Sequence, residues 1–257
     1  MAIGFVRQIG HRALEIIQEM GRMLLFLLTS LGWLFRPPFR PFEFFKQLHF
    51  VGYKSMFVVL LTAAFTGMVL GLQGYYTLRK FGSEGLLGSV VALSLIRELG
   101  PVLASLMVTA RAGSAMTAQI GVMRITEQID ALDTMAVNPQ QYLIAPRLIA
   151  GLIGVPLLVA MADVIGIYGG YLVGVELLGV NAGSYWNSID SAVEWKDVYG
   201  GIWKSVSFGL ILTWVCCYKG FFTAMSAEGL GKATTEAVVL SSVLILIWDY
   251  FLTSLLL

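Results

Sequence analysis

The residues of this chain best suited to chemistry are charged side chains inside long apolar segments. Arg97 and Glu98 are adjacent and lie near the middle of one such segment. A charge at the centre of a bilayer costs at least ~2.5–3.5 kcal/mol on insertion scales, so each needs a partner on another helix, a water-filled cavity or a ligand headgroup. Because consecutive side chains on a helix point about 100° apart, the two cannot neutralise each other fully.

Three further ionisable residues, Asp163, Lys204 and Asp249, also lie within apolar segments. We predict a buried charge network, in which Asp249 is the first choice as the partner of Arg97. Its members are Arg97, Glu98, Lys204 and Asp249. Two interpretations stay open: ion pairs that tie helices together, and the polar wall or gate of a substrate pocket.

The composition of the chain indicates that these charges lie in a membrane protein. The chain has 257 residues, of which 57% are hydrophobic and 13% charged, and its mean hydropathy is +0.78. A soluble domain carries about 25% charged residues, so a chain this apolar could not cover a water-facing surface. The net charge of +1 provides no field that would attract nucleic acid.

The sequence contains no pattern that would make the chain an enzyme. His11 and His49 are the two histidines, and both lie in the N-terminal region. Residues 226–233 depart twice from a phosphate-binding loop, since position 226 is Ser and position 233 is Ala. Cys216 and Cys217 are adjacent, which suits neither a disulfide nor a metal site. We therefore predict no catalytic residue, no metal and no cofactor in this chain.

The hydropathy pattern predicts an all-α integral membrane protein in two parts. Residues 1–46 read as an N-terminal amphipathic region, interfacial or re-entrant, that ends in a Pro-rich break. Residues 47–257 form the membrane domain. Its five predicted spans all reach the length of about 20 residues that crosses a bilayer. They are 51–79, 85–110, 141–176, 198–219 and 236–257.

The segment between the second and third spans is polar and suits a helix over about 116–137. Ile125, Ile129 and Leu132 fall on one stripe of that helix, and Asn138–Pro139 ends it. Twelve Lys and Arg residues then flank the spans on the N-terminal side of the membrane and four on the other side. The positive-inside rule therefore predicts a cytoplasmic N-terminus and a periplasmic C-terminus.

Small and helix-breaking residues mark two of the predicted spans. Gly67, Gly71 and Gly74 share one helix face, which allows close packing of two helices. The same face could instead be a seam that opens around an acyl chain. The large apolar residues near it would suit a lipid tail; they are Leu70, Tyr75 and Leu78. In the next span, Gly100 and Pro101 predict a bend beside the charged pair.

Six blocks of this sequence resemble the MlaE permease family. They occur in the family's order, cover most of residues 50–250, and comprise residues 67–74, 95–101, 110–115, 119–124, 126–128 and 136–139. Gln119 departs from the family pattern, which commonly has an acidic residue there.

The resemblance implies the membrane subunit of an ABC transporter in the bacterial inner membrane. Such permeases are homodimers that pair with a cytoplasmic ATPase, which binds the ATP, with a STAS-domain protein and with a hexameric periplasmic ring of MCE-domain subunits. The system moves glycerophospholipids between the inner and outer membranes and maintains outer-membrane asymmetry.

The resemblance also assigns roles to residues of this chain. The lipid pathway would run along the first, second and fifth spans, with the residues Gly67, Leu70, Gly71, Gly74, Tyr75, Leu78, Glu98 and Leu99. The helix over about 116–137 would couple to the ATPase. The coupling residues would be Arg111, Arg124, Glu127, Asp130 and Asp133.

Two other function classes remain open from the residues alone. An ion-coupled secondary carrier could use the buried charges as a relay, although five spans show no paired inverted repeat. A non-transporting anchor that only assembles other subunits would tolerate the loss of Glu98 or Asp249 with no change beyond stability.

Overall fold

In the computed structural model, the backbone is described for residues 2–34 and 41–256, and the side chains from residue 14 onward, apart from 16, 35–40, 256 and 257. No strand occurs in this described part, which consists of eight helices and short turns. The helices are α1 (Ala2–Leu34), α2 (Pro41–Arg79), α3 (Glu84–Ile125), α4 (Gln128–Thr134), α5 (Gln140–Leu177), α6 (Ala182–Ala192), α7 (Trp195–Phe221) and α8 (Ala227–Leu256).

Five of these helices are long and apolar enough to cross a membrane: α2, α3, α5, α7 and α8. This confirms the prediction of an all-α membrane protein with five spans. Because successive spans are antiparallel, the bundle has two ends. We call the end that carries Arg111, Arg124, Arg147 and Lys219 the basic end, and the end that carries α6 the far end.

The helices continue past several predicted boundaries because π-helical turns interrupt them without breaking them. Such turns occur at His49–Tyr53 in α2, and at Leu95–Leu99 and Thr109–Gly113 in α3. A π turn is a single wider turn inside an α-helix, so the helix continues through it. The predicted limits at residues 46 and 110 therefore fall inside continuous helices.

The single helix predicted over about 116–137 is wrong. Its first part is the end of α3, and the chain then turns at Thr126–Glu127 before α4 begins. Glu127 has a φ of 58°, and Ala136 after α4 has a φ of 56°. A left-handed residue ends a helix, so the two positive φ values limit α4 to one short segment.

The N-terminal region also differs from its prediction, because α2 begins before the predicted limit at residue 46. α1 is one helix of 33 residues, and α2 begins at Pro41, whereas the predicted break at 36–40 lies outside the described residues. α1 docks at the basic end of α7, where the Trp214 indole donates to the Met23 carbonyl at 2.8 Å and Phe26 packs edge-on against Tyr218. Its interfacial position stays a prediction.

Glycines bring α2 and α5 into close backbone contact. A Cβ atom at Gly67 would overlap the carbonyl oxygen of Gly166, and one at Gly71 would lie 2.9 Å from that of Gly170. Small residues let two backbones approach in this way where lipid offers no hydrophobic drive. The packing interpretation of the glycine face is therefore confirmed within one chain.

The far end is closed by α6 and by the start of α7. Asn181 caps α6 by accepting a hydrogen bond from the Ser184 amide at 3.0 Å. The buried Tyr185 hydroxyl donates to the Ile167 carbonyl at 2.9 Å, and burial raises the pKa of this phenol. These contacts fix α6 against α5, and α7 follows it directly.

Candidate functional site

A buried lysine of α7 is the centre of the charge network. Lys204 is 3% exposed, and its ammonium lies 2.6 Å from Glu98 Oε2 on α3 and 3.1 Å from Asp249 Oδ1 on α8. The same nitrogen donates to Thr253 Oγ1 at 2.6 Å. Lys204 thus joins three of the five spans, and two carboxylates compensate the cost of burying one ammonium.

Pro101 explains a fourth contact of this lysine. Proline lacks the amide hydrogen that would bond to the carbonyl four residues earlier in a helix, and that carbonyl belongs to Arg97. Lys204 Nζ donates to the Arg97 carbonyl at 3.0 Å instead. The π turn before Gly100 keeps the helix continuous here, and the bend predicted at Gly100 and Pro101 stays a prediction. The proline and the lysine are therefore parts of one arrangement.

The predicted pairing of Arg97 with Asp249 is wrong. Arg97 Nε donates to Asp197 Oδ1 at 2.8 Å, while Asp249 belongs to Lys204. Asp197 is also the third residue of the capping box that starts α7, where its carboxylate accepts from the Glu194 amide at 3.1 Å. One carboxylate therefore caps a span and holds the arginine of its neighbour.

These residues line a polar cavity of about 160 Å³ toward the far end. Its ionisable lining comprises three basic and three acidic residues: Arg97, Lys196, Lys204, Glu98, Glu194 and Asp197. The side chains of Arg97 and Glu98 are 42% and 40% exposed, so each can reach a ligand. Charges of both signs around a cavity with no formal net charge suit a zwitterionic or hydrogen-bonding headgroup, not a simple ion.

The other predicted pathway residues lie in the core of the single chain. Tyr75 is buried against Leu87 and Val91 at the far end. Tyr75, Leu87 and Val91 belong to one buried apolar cluster, and the other apolar residues of the predicted pathway are partly buried against it: Leu70, Leu78 and Leu99. Gly67 and Gly71 face α5, and Gly74 faces Leu87. Their part in a lipid pathway stays a prediction.

The coupling residues divide into one internal residue and a group at the basic end. Arg111 donates to the Phe50 carbonyl at 2.7 Å and lies 5.1 Å from the centre of the Phe50 ring, so it fastens α3 to α2 instead of pointing at a partner. Arg124 forms an ion pair with Asp130 between α3 and α4. Glu127 and Asp133 are exposed.

Asp163 of α5 stands apart from the network. Its Oδ1 is buried without a hydrogen-bond partner among the described residues and packs against Gly100, where a Cβ atom would overlap it. Within the described part of the chain, no group of three His, Cys, Asp or Glu side chains could hold a metal ion.

Sequence reasoning missed Asp197 and Thr253. Asp197 carries a usable signal, because Glu194 and Asp197 have the spacing of a capping box before an apolar run. Thr253 has no such signal, since its hydroxyl joins the site only through the packing of α8 on α7.

Exchanging the charges of Arg97 and Asp197 should restore what either single change removes. We expect Arg97→Asp and Asp197→Arg each to destabilise the chain. The double variant should recover a coupling energy of about 0.5–2 kcal/mol, because the two side chains are in direct contact but that of Arg97 is 42% exposed. Unfolding in mixed micelles measures this. Arg97→Asp with Asp249→Arg is the control and should show no recovery.

Comparison with known proteins identifies the family. The family described as Permease MlaE matches residues 44–255. A "Probable ABC transporter permease protein" of Rickettsia bellii is 44% identical over 255 residues, covering 99% of this chain and 98% of the relative.

Two further relatives carry more specific names. The "Intermembrane phospholipid transport system permease protein MlaE" of Haemophilus influenzae is 41% identical over 257 residues, covering 99% and 98% of the two chains. "Protein TRIGALACTOSYLDIACYLGLYCEROL 1, chloroplastic" of Arabidopsis thaliana is 36% identical over 209 residues, covering 81% of this chain and 60% of that one. With its profile matched over 212 of 257 residues, the chain belongs to the MlaE permease family.

Proposed function

We propose that this chain is the permease subunit of an ABC transporter that moves glycerophospholipids between the inner and outer membranes of a bacterium and so contributes to outer-membrane asymmetry. The observation that carries the proposal is the mixed-charge cavity around Lys204, set inside a bundle of apolar spans. An amphiphile needs both environments, since its headgroup must be solvated while its chains stay in an apolar medium. The printed function of the Haemophilus relative supports the substrate.

The proposed pathway opens between the glycine face of α2 and α5, and its polar end is the cavity around Lys204. Arg97 would bind the lipid phosphate, and Glu98, with Thr253 beside it, would form the polar floor. The glycine face of α2 would let α5 and α2 separate when the pathway opens, as the prediction for Gly67, Gly71 and Gly74 requires. Leu70, Tyr75, Leu78 and Leu99 would then line the acyl chain.

The energy would come from a partner ATPase that docks at the basic end. The exposed acidic residues of the turn and of α4, Glu127, Asp130 and Asp133, support this position, and the ion pair of Arg124 with Asp130 would transmit movement of α4 to α3. ATP would be bound by that partner. We place the basic end in the cytoplasm, with the N-terminus inside and the C-terminus in the periplasm, on the excess of Lys and Arg there.

The remaining partners follow from the family resemblance. We propose a homodimer, with a STAS-domain protein at the cytoplasmic face and a hexameric MCE-domain protein at the periplasmic face. Only 11% of the residues in the most apolar stretch of α8 are buried in the single chain. This exposure supports a span that faces lipid or a second copy.

Lipid that co-purifies with the complex tests the proposed cavity. We expect phospholipid to remain bound through extensive detergent washing, and Arg97→Gln to reduce the retained amount about tenfold, because a charge-assisted hydrogen bond is lost. Arg79→Gln is the matched control, since Arg79 also lies at the far end of the bundle and its side chain is 63% exposed. A folded complex without phospholipid would contradict the proposal.

The ion-coupled carrier is a second candidate that one observation favours. One carboxyl oxygen of Asp163 in α5 has no hydrogen-bond partner among the residues that the structure describes, and such a group can bind and release a proton in these carriers. A carrier would work from an ion gradient without ATP, so the source of energy separates the two.

A further inference from the structure

A second cavity lies at the basic end of the bundle, whereas the cavity around Lys204 lies toward the far end. It has a volume of about 600 Å³ and is formed by the first turns of α2, the end of α3 and the start of α5. This volume is within the range of about 300–1,000 Å³ typical of small-molecule sites. Its polar lining includes Glu43, Lys46, Gln47, Gln119 and Arg147.

Arg147 in this cavity is buried without an ion pair to any described carboxylate, although Glu43 in the same lining attracts it at longer range. It is 6% exposed, and its Nη1 donates to the Leu143 carbonyl at 2.6 Å, whereas its Nε has no hydrogen-bond partner among the described residues. No carboxylate in the described part of the chain forms an ion pair with it, and Glu43 lies against Lys46 at 3.7 Å. A guanidinium has five donors, so most of its capacity is unused in a place where burying a charge is costly.

A neighbouring residue points to the same conclusion. Gln47 is 9% exposed, and its Oε1 also has no partner within the described residues. Arg147 Nε lacks an acceptor and Gln47 Oε1 lacks a donor among the described residues, and both residues line this cavity. A ligand that satisfies both atoms needs an anionic acceptor for the guanidinium and a hydroxyl or ammonium donor for the amide oxygen. Arginine recognises phosphate and carboxylate in this way with two parallel hydrogen bonds.

An apolar groove adjoins the cavity and limits what this ligand can be. The groove also has a volume of about 600 Å³ and shares Tyr142 and Pro146 with the cavity. Ile149 and Ile153 extend it along α5, and Phe44 of α2 also lines it. A cation at the head of an apolar groove fits an amphiphile with an anionic headgroup and an acyl chain. A docked protein would meet exposed side chains, but Arg147 is recessed.

We propose that Arg147 binds the phosphate of a phospholipid from the leaflet at the basic end, with one acyl chain in the adjoining groove. The lipid would occupy a place distinct from the cavity around Lys204. The inference depends on the proposed function only for the class of lipid, since a bound lipid could also serve to anchor α2 on α5.

Photocrosslinking inside the groove tests this site in the complete complex. The photoreactive residue p-benzoylphenylalanine replaces Phe44, and phosphorus-32-labelled phosphatidylglycerol is the probe. We expect crosslinked lipid in the otherwise unchanged chain and about a tenfold loss in Arg147→Met, because the charge-assisted contact is removed. Arg147→Lys should keep part of the signal, and Arg147→Gln serves if the Met variant does not fold.

The control places the same photoreactive residue at Phe57, an exposed position of α2 that surrounding lipid reaches. Its crosslinking should not depend on Arg147. An excess of inorganic phosphate that abolishes the signal at position 44 would show that free phosphate, not lipid, is the ligand. Equal crosslinking in Arg147→Met, or crosslinking of position 44 to the ATPase subunit in place of lipid, would overturn the proposal.

The outcome is separable from that for the proposed function. ATP-driven lipid transfer can fail while position 44 still crosslinks lipid, which would leave the Arg147 site standing. Conversely, transfer can proceed with no crosslink at position 44, and the site is then wrong while the transport function holds.

Discussion

Replacing Lys204 by methionine should lower the free energy of unfolding by about 3–5 kcal/mol, which is the usual effect of removing one partner from a buried ionic group. Lys204 is 3% exposed and lies within 3.1 Å of both Glu98 and Asp249. Without the ammonium, two carboxylates would face each other across three spans, and the Arg97 carbonyl would lose its donor. Unfolding in mixed micelles measures the change.

Two further variants make this prediction specific. Neutralising the carboxylates as well, in the triple variant Lys204→Met, Glu98→Gln and Asp249→Asn, should recover most of the loss, because no unpaired charge remains buried. Lys232→Met is the control, since Lys232 is exposed on α8 and its change should stay within about 0.5 kcal/mol. A triple variant no more stable than Lys204→Met alone would mean that the lysine does not act through these carboxylates.

The second large effect is expected at the contact between α2 and α5. Gly67→Ala should destabilise the chain by about 1–3 kcal/mol, because the new methyl group would overlap the backbone carbonyl of Gly166 and neither helix can yield without losing its other contacts. Larger residues such as leucine should prevent assembly of the bundle. Thermal unfolding in detergent and the yield of folded protein report both effects.

A second glycine of the same helix provides the matched control. Gly52 lies in the π-helical turn of α2, and a Cβ atom placed there would meet nothing within 4 Å. Gly52→Ala should therefore stabilise the chain, by up to about 1 kcal/mol, because alanine has the higher helix propensity. The same sign of change for Gly52→Ala and Gly67→Ala would contradict the packing account.

Features that depend on composition and period could be predicted from the sequence. The five spans follow from long apolar segments, and the packing face of α2 follows from the spacing of Gly67 and Gly71. The charge network was predictable in its membership, because a bilayer forces buried ionisable residues together. Three of its four predicted members, Glu98, Lys204 and Asp249, meet at one ammonium.

Features that depend on how helices meet could not be predicted in this way. Asp197 lies just outside the predicted span 198–219, and only the docking of α7 on α3 brings it to Arg97. The role of Lys204 at the Arg97 carbonyl requires knowing that Pro101 leaves it without a donor and that α7 passes beside it. Arg111 has the polarity of a docking residue, but its guanidinium donates a hydrogen bond to the Phe50 carbonyl of α2. Helix ends were misplaced because a π turn has no clear sequence signal.

The central claim is that this chain moves phospholipid with energy from a partner ATPase, and its most direct test is transport by the reconstituted complex. Labelled phospholipid in proteoliposomes is followed to an acceptor with ATP, with a non-hydrolysable ATP analogue, and with a proton gradient alone. We predict transfer that requires hydrolysable ATP and does not respond to the gradient. Transfer driven by the gradient without ATP would contradict the account and identify the chain as an ion-coupled carrier.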